Sequence, residues 1–272
     1  MRKFLPCFLS LTFLFVSLTF SPQLAGQTTT PAPPTSDPQA IAFATNALAA
    51  LTGTVQVSDV TLTGTATRTA GSDVETGAVT LKALGTANSR MDLSTSSGTR
   101  SEIRTNASGF PQGTWIGLDG TSHTIASHNC LTDAVWFFPA FSILSQAANV
   151  NVLATYVGQE TRNGASVQHL RFTQPLSATA DPTGLLTALT TEDIYLDPNS
   201  FFPVAILFNT HADSNAAVNV AVEIDFSNYQ VTGGAQAPTR IQELLNNSLF
   251  LDITVQSVTL NSGLTQSTFS TQ

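Results

Sequence analysis

The residue types best suited to metal binding or nucleophilic catalysis lie in one short span: His123, His128, Cys130 and Asp133. Histidine, cysteine and aspartate are all ligands that zinc accepts. These positions straddle a predicted strand end and a loop, and they lack the tight spacing that presents two ligands on one turn. Cys130 with His128 as its base would share a face only in an extended loop. We therefore favour a hydrogen-bonded loop over a metal-dependent hydrolase.

Paired carboxylates are the second set of candidates for chemistry. Glu192 and Asp193 are adjacent, so their side chains point to opposite faces of a predicted strand. Glu223 and Asp225 share a polar strand face, but glycosidase chemistry needs two carboxyl groups flanking a sugar in a cleft. Here the bulky side chains lie on the opposite face, so we interpret the pair as a solvated surface.

Known catalytic motifs are missing from the sequence. It contains no G-x-S-x-G, P-loop, dinucleotide-binding or H-E-x-x-H pattern. We therefore predict no catalytic residue, no cofactor and no metal, and a protein that is not an enzyme.

The N-terminus and the charge indicate an exported protein. Arg2 and Lys3 precede an apolar run and the small residues 24–26, a pattern typical of a secretory signal peptide over residues 1–26. An uncleaved membrane anchor is the alternative. A periplasmic or secreted location follows. Without Arg2 and Lys3, the 10 basic residues fall to 8 against 18 acidic ones, a net charge of −10. Such a surface repels nucleic acid and anionic lipid headgroups, so neither is a predicted partner.

Composition divides the rest of the chain. Residues 27–37 form a Pro/Thr-rich linker that we expect to be disordered, and residues 267–272 a polar, disordered tail. Residues 38–266 are enough for one β domain with its own core. Cys130 is the only cysteine after the predicted signal peptide, so no disulfide within the chain is expected, and a buried, unreactive thiol is favoured.

Alternating side chains late in the chain predict three consecutive antiparallel strands. The second strand covers residues 239–245, and in the third the odd-numbered residues from Leu249 to Val255 share a face. Val258 then falls one residue out of phase, as it would after a β-bulge. The first strand carries apolar residues at every second position: Val218, Val220, Val222, Ile224 and Phe226.

The preceding sequence predicts a helix, two strand meanders and a helical insert between them. Asp37 has the residue type of an N-cap, Pro38 suits the first helical turn, and an apolar stripe continues to Leu51. Short strands separated by turn signals follow, which is typical of an antiparallel meander. Residues 131–148 interrupt this pattern with the most aromatic part of the chain. We predict two short helical stretches there, with a kink at Pro139.

Four short strings resemble the pattern of a known family: DIYLDP at 193–198, FPVAI at 202–206, IDFSNY at 224–229 and PTRI at 238–241. In the family pattern, the first string is a strand ending in an Asp-Pro turn, and the second is a strand opening with Pro and an aliphatic residue. The third string is a strand closing in an aromatic-Ser-x-Tyr segment, and the fourth is a strand starting Pro-x-x-Ile. With the N-terminal helix and the insert, the chain resembles the outer-membrane lipoprotein-sorting (LolA/LolB-like) family over residues 37–264.

This resemblance implies a mainly β (α+β) fold, a single unclosed antiparallel β-barrel. The N-terminal helix and a central helical insert would cover its apolar concave face. Family members hold acyl chains of lipids or lipoproteins without catalysis. We therefore predict an exported monomer that binds a lipid or lipoprotein acyl chain and has a membrane-associated partner protein. The candidate ligand-binding residues are those whose side chains we expect to face the concave side: Trp115, Trp136, Phe138, Phe141, Ile206, Val220, Val222 and Ile224.

Two other functions stay open at this level. A structural or regulatory interaction protein would have a filled core and would bind its partner through a strand edge or surface. A metal-dependent hydrolase would use the span from His123 to Asp133. The first alternative differs from lipid binding in whether the concave face is packed or holds a cavity.

Overall fold

A 13-stranded antiparallel sheet forms most of the protein. The computed structural model describes residues 35–106 and 109–270. The predicted signal peptide, most of the predicted linker and the last two residues lie outside these ranges. None of the helices in the described residues is long and apolar enough to cross a membrane. The main elements are α1 Pro38–Thr52, β1 Asp59–Ala70, β2 Asp73–Leu84, β3 Asn88–Thr95, β4 Gly98–Thr105, β5 Gln112–Ile116, β6 Ser122–Ile125, β7 Leu153–Arg162, β8 Ala165–Thr173, α2 Leu185–Leu189, β9 Glu192–Leu196, β10 Pro203–Ala212, β11 Asn215–Thr232, β12 Ala235–Leu245 and β13 Ser248–Leu260.

The strand order joins two meanders into one sheet. It runs β6-β5-β4-β3-β2-β1-β13-β12-β11-β10-β9-β8-β7. The meanders meet where β1 pairs with β13. Strands β6 and β7 are the two edges, and within the described residues they do not pair with each other. The predicted mainly β fold, an unclosed antiparallel barrel, is confirmed.

The predicted three-strand stretch is confirmed as β11 to β13, with one error in its facing pattern. Leu249 pairs with Leu244 and is 43% exposed. The reason is an extra residue, Phe250, between Leu249 and the core residue Leu251. This bulge reverses the side to which Leu249 points, so our assignment of Leu249 to the apolar face is wrong.

A second bulge in β13 confirms the predicted change of phase near the end of the chain. Thr63 and Gly64 of β1 pair with Ser257 and Val255, which makes Gln256 the extra residue. The backbones approach closely at this point. A Cβ atom on Gly64 would lie 2.0 Å from a backbone carbonyl oxygen of β13, so only glycine fits.

Helix α1 packs against β7, β12 and the insert. The Asp37 carboxylate accepts a hydrogen bond from the Gln39 backbone N–H at 2.8 Å, and Pro38 occupies the first turn, as predicted. Gly53 ends the helix with a φ of 56°. Small residues on one side let the helix approach the sheet closely, and four residues are fully buried: Ala40, Ala44, Ala47 and Leu51.

The predicted helical insert consists of 3₁₀ turns rather than α-helices. Pro139–Phe141 and Ile143–Gln146 each form one short turn. Proline lacks a backbone N–H and forces an extended backbone on the residue before it, Phe138, so a longer helix cannot form. The insert connects the two edge strands and places its aromatic side chains in the core. Those at most 7% exposed are Trp136, Phe137, Phe138 and Phe141.

Both ends of the described chain are held by the fold, where we expected disorder. Ser36 Oγ donates a hydrogen bond to the Val152 carbonyl oxygen at 3.1 Å and accepts one from the Ala154 N–H at 3.0 Å. The last residues of the predicted linker are therefore attached to β7. At the other end, residues 266–269 form a 3₁₀ turn against β3 and β4, and Phe269 is 2% exposed.

Candidate functional site

A mainly apolar cavity of about 250 Å³ opens between β13, β1 and the strands β3 to β5. The insert and α1 fill the other half of the concave face with packed side chains. The volume is just below the roughly 300–1,000 Å³ of pockets for drug-sized ligands, so the cavity suits a narrow apolar chain. Its apolar lining includes Met91, Leu93, Trp115, Phe250 and Leu251.

Strand register explains why side chains converge on this cavity. Leu81, Met91, Glu102 and Trp115 are consecutive partners across β2 to β5. Side chains of directly opposed residues lie in one row on one face. Leu81 is fully buried in the core, which identifies this face as the concave one. Trp115 lies near the end of the row, is 39% exposed, and stacks on His123 with 4.0 Å between ring centroids.

The first bulge of β13 adds a second aromatic wall to the cavity. Because Phe250 is the extra residue, its side chain lies on the same side as that of Leu251, and both line the cavity. Phe250 was not among our predicted binding residues. The signal that could have found it is the apolar triplet from Leu249 to Leu251, which a two-residue period cannot place on one face.

One end of the cavity carries arginines held by a glutamate. Arg68 and Glu75 are partners on β1 and β2, with 3.7 Å between Arg68 Nη1 and Glu75 Oε2. Arg100 donates from Nε and Nη2 to the two Glu75 carboxylate oxygens at 2.6 and 2.7 Å. These bonds lower the pKa of Glu75 and raise the pKa of Arg100. The Arg68 guanidinium carbon lies 5.0 Å from the centre of the Phe250 ring, a cation–π contact.

A half-buried acidic side chain, that of Glu243, lies beside the cavity on β12. Glu243 pairs with the cavity residue Leu251, so its side chain points to the same apolar face. Burial raises the pKa of Glu243 to about 8, and the charge of Glu102 adds to this effect against the opposing charge of Arg104. The carboxyl group is therefore mostly protonated and uncharged at neutral pH.

Arg104 ties the cavity wall to the insert. Its Nε donates a hydrogen bond to Glu102 Oε1 at 2.9 Å, and its Nη1 donates to the Asn129 carbonyl oxygen at 2.6 Å. Both contacts use the fixed donor directions of the guanidinium group. They hold β4 against the start of the insert.

The predicted ligand-binding residues lie in different environments. Trp115 lines the cavity. Val220 is partly buried near the start of β11, and Val218, on the same face, is 48% exposed. The remaining six are packed in the hydrophobic core, in the filled half of the concave face: Trp136, Phe138, Phe141, Ile206, Val222 and Ile224.

A buried pair of carboxyl groups fastens the insert to the sheet. Glu192 Oε1 accepts a hydrogen bond from the Asp133 backbone N–H at 2.7 Å, and Asp133 Oδ2 accepts one from the Ile143 N–H at 2.9 Å. Burial raises the pKa of Asp133 to about 6. Burial and the neighbouring Asp133 raise the pKa of Glu192 well above its usual value. Two adjacent buried carboxyl groups of this kind share a proton.

The four residues first considered for metal binding have separate partners. His123 stacks on the cavity tryptophan, and His128 Nε2 lies 3.2 Å from the Ala212 carbonyl oxygen. Cys130 is buried, which raises the pKa of its thiol, and Asp133 holds the insert. Within residues 35–106 and 109–270, no group of three His, Cys, Asp or Glu side chains could hold a metal ion.

A charged network covers the convex face of β7 to β9. His169 is 4% exposed, with Nδ1 2.6 Å from Glu160 Oε1 and Nε2 3.0 Å from Asp193 Oδ1. Burial lowers the pKa of His169, but the charge of Asp193 and the hydrogen bond with Glu160 outweigh it and raise the pKa. Arg171 donates two further hydrogen bonds to Asp193 at 2.7 and 2.9 Å.

The acidic face of β11 is less exposed than we expected. Glu223 and Asp225 are both half-buried, and Glu223 accepts a hydrogen bond from Arg162. Burial, with the neighbouring Glu223, raises the pKa of Asp225 to about 6. The face is therefore only partly solvated, because Arg162, at the end of β7, reaches Glu223.

Comparison with known proteins identifies the fold. No protein-family model and no curated protein matches the sequence. The structure of an outer membrane lipoprotein-sorting protein domain from Vibrio parahaemolyticus matches with a TM-score of 0.56 and 12% identity, covering 84% of this chain and 95% of that one. A LolA superfamily protein from Nitrosomonas europaea matches with a TM-score of 0.53 and 10% identity, covering 85% and 97%. The predicted resemblance to the lipoprotein-sorting (LolA-like) fold is confirmed.

Proposed function

We propose that this protein is an exported, non-catalytic binding protein that holds an apolar ligand, a lipid or lipoprotein acyl chain, in the concave face of its sheet. The observation that carries the proposal is the apolar cavity bordered by Met91, Leu93, Trp115 and Phe250. An acyl chain gains roughly 0.8 kcal/mol per CH₂ group removed from water, so binding needs no catalytic group. Export rests on the signal peptide predicted for residues 1–26.

The size of the cavity limits how much of a chain it accepts. A volume of about 250 Å³ takes a short stretch of acyl chain, and a longer chain needs space now filled by the insert. In this proposal the binding site has a deeper half, which the ligand reaches when the insert shifts. The predicted contacts from Trp136 to Phe141 and on β10 and β11 form that half. Because a long acyl chain is poorly soluble in water, a membrane or membrane-associated partner supplies it.

Calorimetric titration with dodecanol tests this proposal. Trp115→Ala should weaken binding roughly tenfold or more, because a large side chain that covers the ligand contributes about 1.5–3 kcal/mol. The matched control is Val157→Ala, an apolar residue that is 46% exposed on the edge strand β7, and it should leave the affinity unchanged. Absence of binding by the wild-type protein would refute the proposal.

A structural or regulatory interaction protein is the second candidate. The observation that favours it is the packed half of the concave face, where the aromatic side chains of the insert are buried in the core. Native mass spectrometry of the full-length protein purified from its host separates the two functions. Lipid adducts on the polypeptide mass support the binding protein, and a bare polypeptide mass supports the interaction protein.

A further inference from the structure

Two arginines, Arg68 and Arg100, line the cavity of a protein that is acidic as a whole. The full chain has a formal net charge of −8. Glu243, beside the cavity, is mostly uncharged at neutral pH because burial raises its pKa to about 8. The charged side chains that line the cavity are Arg68, Arg100 and Glu102. Arg100 is neutralised by Glu75, with further contributions from Asp73 and Asp119, so Arg68 is the positive charge that faces the cavity.

Arg68 differs from the other two arginines in its unused hydrogen-bond donors. Arg100 is bidentate on Glu75, and Arg104 binds Glu102 and a backbone carbonyl of the insert. For Arg68, the closest carboxylate contact within the described part of the chain is 3.7 Å long, beyond hydrogen-bond distance. A guanidinium group offers five N–H donors in a planar fork that matches a carboxylate.

The position of Arg68 relative to the apolar lining fits an amphiphile. Its strand partner is Leu251, and its guanidinium group lies over the Phe250 ring at one end of the cavity. Met91 and Trp115 continue the lining from there toward the edge of the sheet. A charged headgroup at Arg68 would therefore leave an attached chain in contact with apolar side chains.

We propose that the ligand is a single-chain amphiphile with a carboxylate headgroup, bound with its head at Arg68 and its chain along Met91, Leu93 and Trp115. The inference rests on the proposed function and narrows the ligand class. From the overall charge we predicted that anionic headgroups are repelled. That expectation holds for the outer surface, whereas the nearest charges dominate inside a cavity, because charges beyond about 8–10 Å are screened by salt.

Titration of the wild-type protein with two ligands of equal chain length tests the inference. Dodecanoate should bind about 10- to 100-fold more tightly than dodecanol at neutral pH, the range expected for hydrogen bonds to a charged group. Equal affinities overturn the carboxylate preference and leave the proposed function standing. If neither ligand binds, the proposed function and the inference both fail.

Variants then locate the headgroup. Arg68→Gln should remove most of the preference for dodecanoate while dodecanol affinity changes no more than about twofold, and Arg68→Lys should keep part of the preference. Arg171→Gln, on the convex face, is the control and should keep all of it. A full preference in Arg68→Gln, with the fold confirmed by circular dichroism, overturns the assignment.

Discussion

The pH dependence of stability should reveal the raised pKa of the Glu243 carboxyl group. Its pKa in the folded protein is raised to about 8, whereas a glutamate in an unfolded chain titrates near pH ~4.3. Between these values the folded state binds the proton and the unfolded state does not. The free energy of unfolding of the wild-type protein therefore falls as the pH rises through this window. Glu243→Gln removes the titration and keeps the size and polarity of the side chain.

The expected magnitude follows from the slope for one proton. A single group of this kind changes the free energy of unfolding by at most about 1.4 kcal/mol per pH unit, or about 4 kcal/mol from pH 5 to pH 8. The side chain is half-buried by surface area, so water reduces the effect, and we expect on the order of 2 kcal/mol. Glu243→Gln should match the wild type near pH 5 and exceed it by that amount at pH 8.

Urea unfolding at several pH values between 5 and 8 measures this difference, with the buried Trp136 as a fluorescent reporter. Asp73→Asn is the control, because Asp73 is exposed at the turn between β1 and β2. Its curve should remain parallel to that of the wild type. If the curve of Glu243→Gln is also parallel to the wild type, the carboxyl group is ionised in the folded protein and our reasoning is wrong.

Gly64→Ala should lower the free energy of unfolding by roughly 1–3 kcal/mol, because the new Cβ collides with the backbone of β13. Thr63→Ala, next to it on the opposite face, is the control, and equal urea midpoints for the two variants would contradict the close approach. Glu160 and Asp193 raise the pKa of His169, so the stabilisation from the charged imidazole is complete below about pH 6.5 and disappears as the pH rises through the raised value. The difference in thermal stability between the wild type and His169→Gln should therefore shrink toward alkaline pH, and a constant difference would contradict the ion pairs.

Local sequence rules were sufficient for most of the sheet. The dipeptide Asn-Gly is typical of a two-residue hairpin turn, and Asn163 and Gly164 have the positive φ values that this turn needs, 49° and 80°, between β7 and β8. The same rules placed the cap of α1 at Asp37. Such features depend on residues close together in the sequence, where residue type limits the backbone directly. The fold class and strand order of β11 to β13 were predictable for that reason.

The candidate site was less predictable because long-range contacts decide it. Trp115 and Trp136 looked equivalent in sequence, yet one borders the open half of the concave face and the other is packed in the core. That difference depends on the path of the insert across the sheet. The direction of Phe250 depends on its register with β12. The alternation of side chains in a single strand indicates neither the path of the insert nor the register with a neighbouring strand.

The pairing of β1 with β13 determines when the cavity forms. Arg68 pairs with Leu251, and every other pairing in the sheet joins strands that follow each other in the chain. Each meander can form as it is synthesised, but contacts between distant residues form slowly. Arg68 and Met91 come from the first meander and Phe250 from the second. The cavity therefore forms only when both meanders are present and paired, in the same step that completes the sheet.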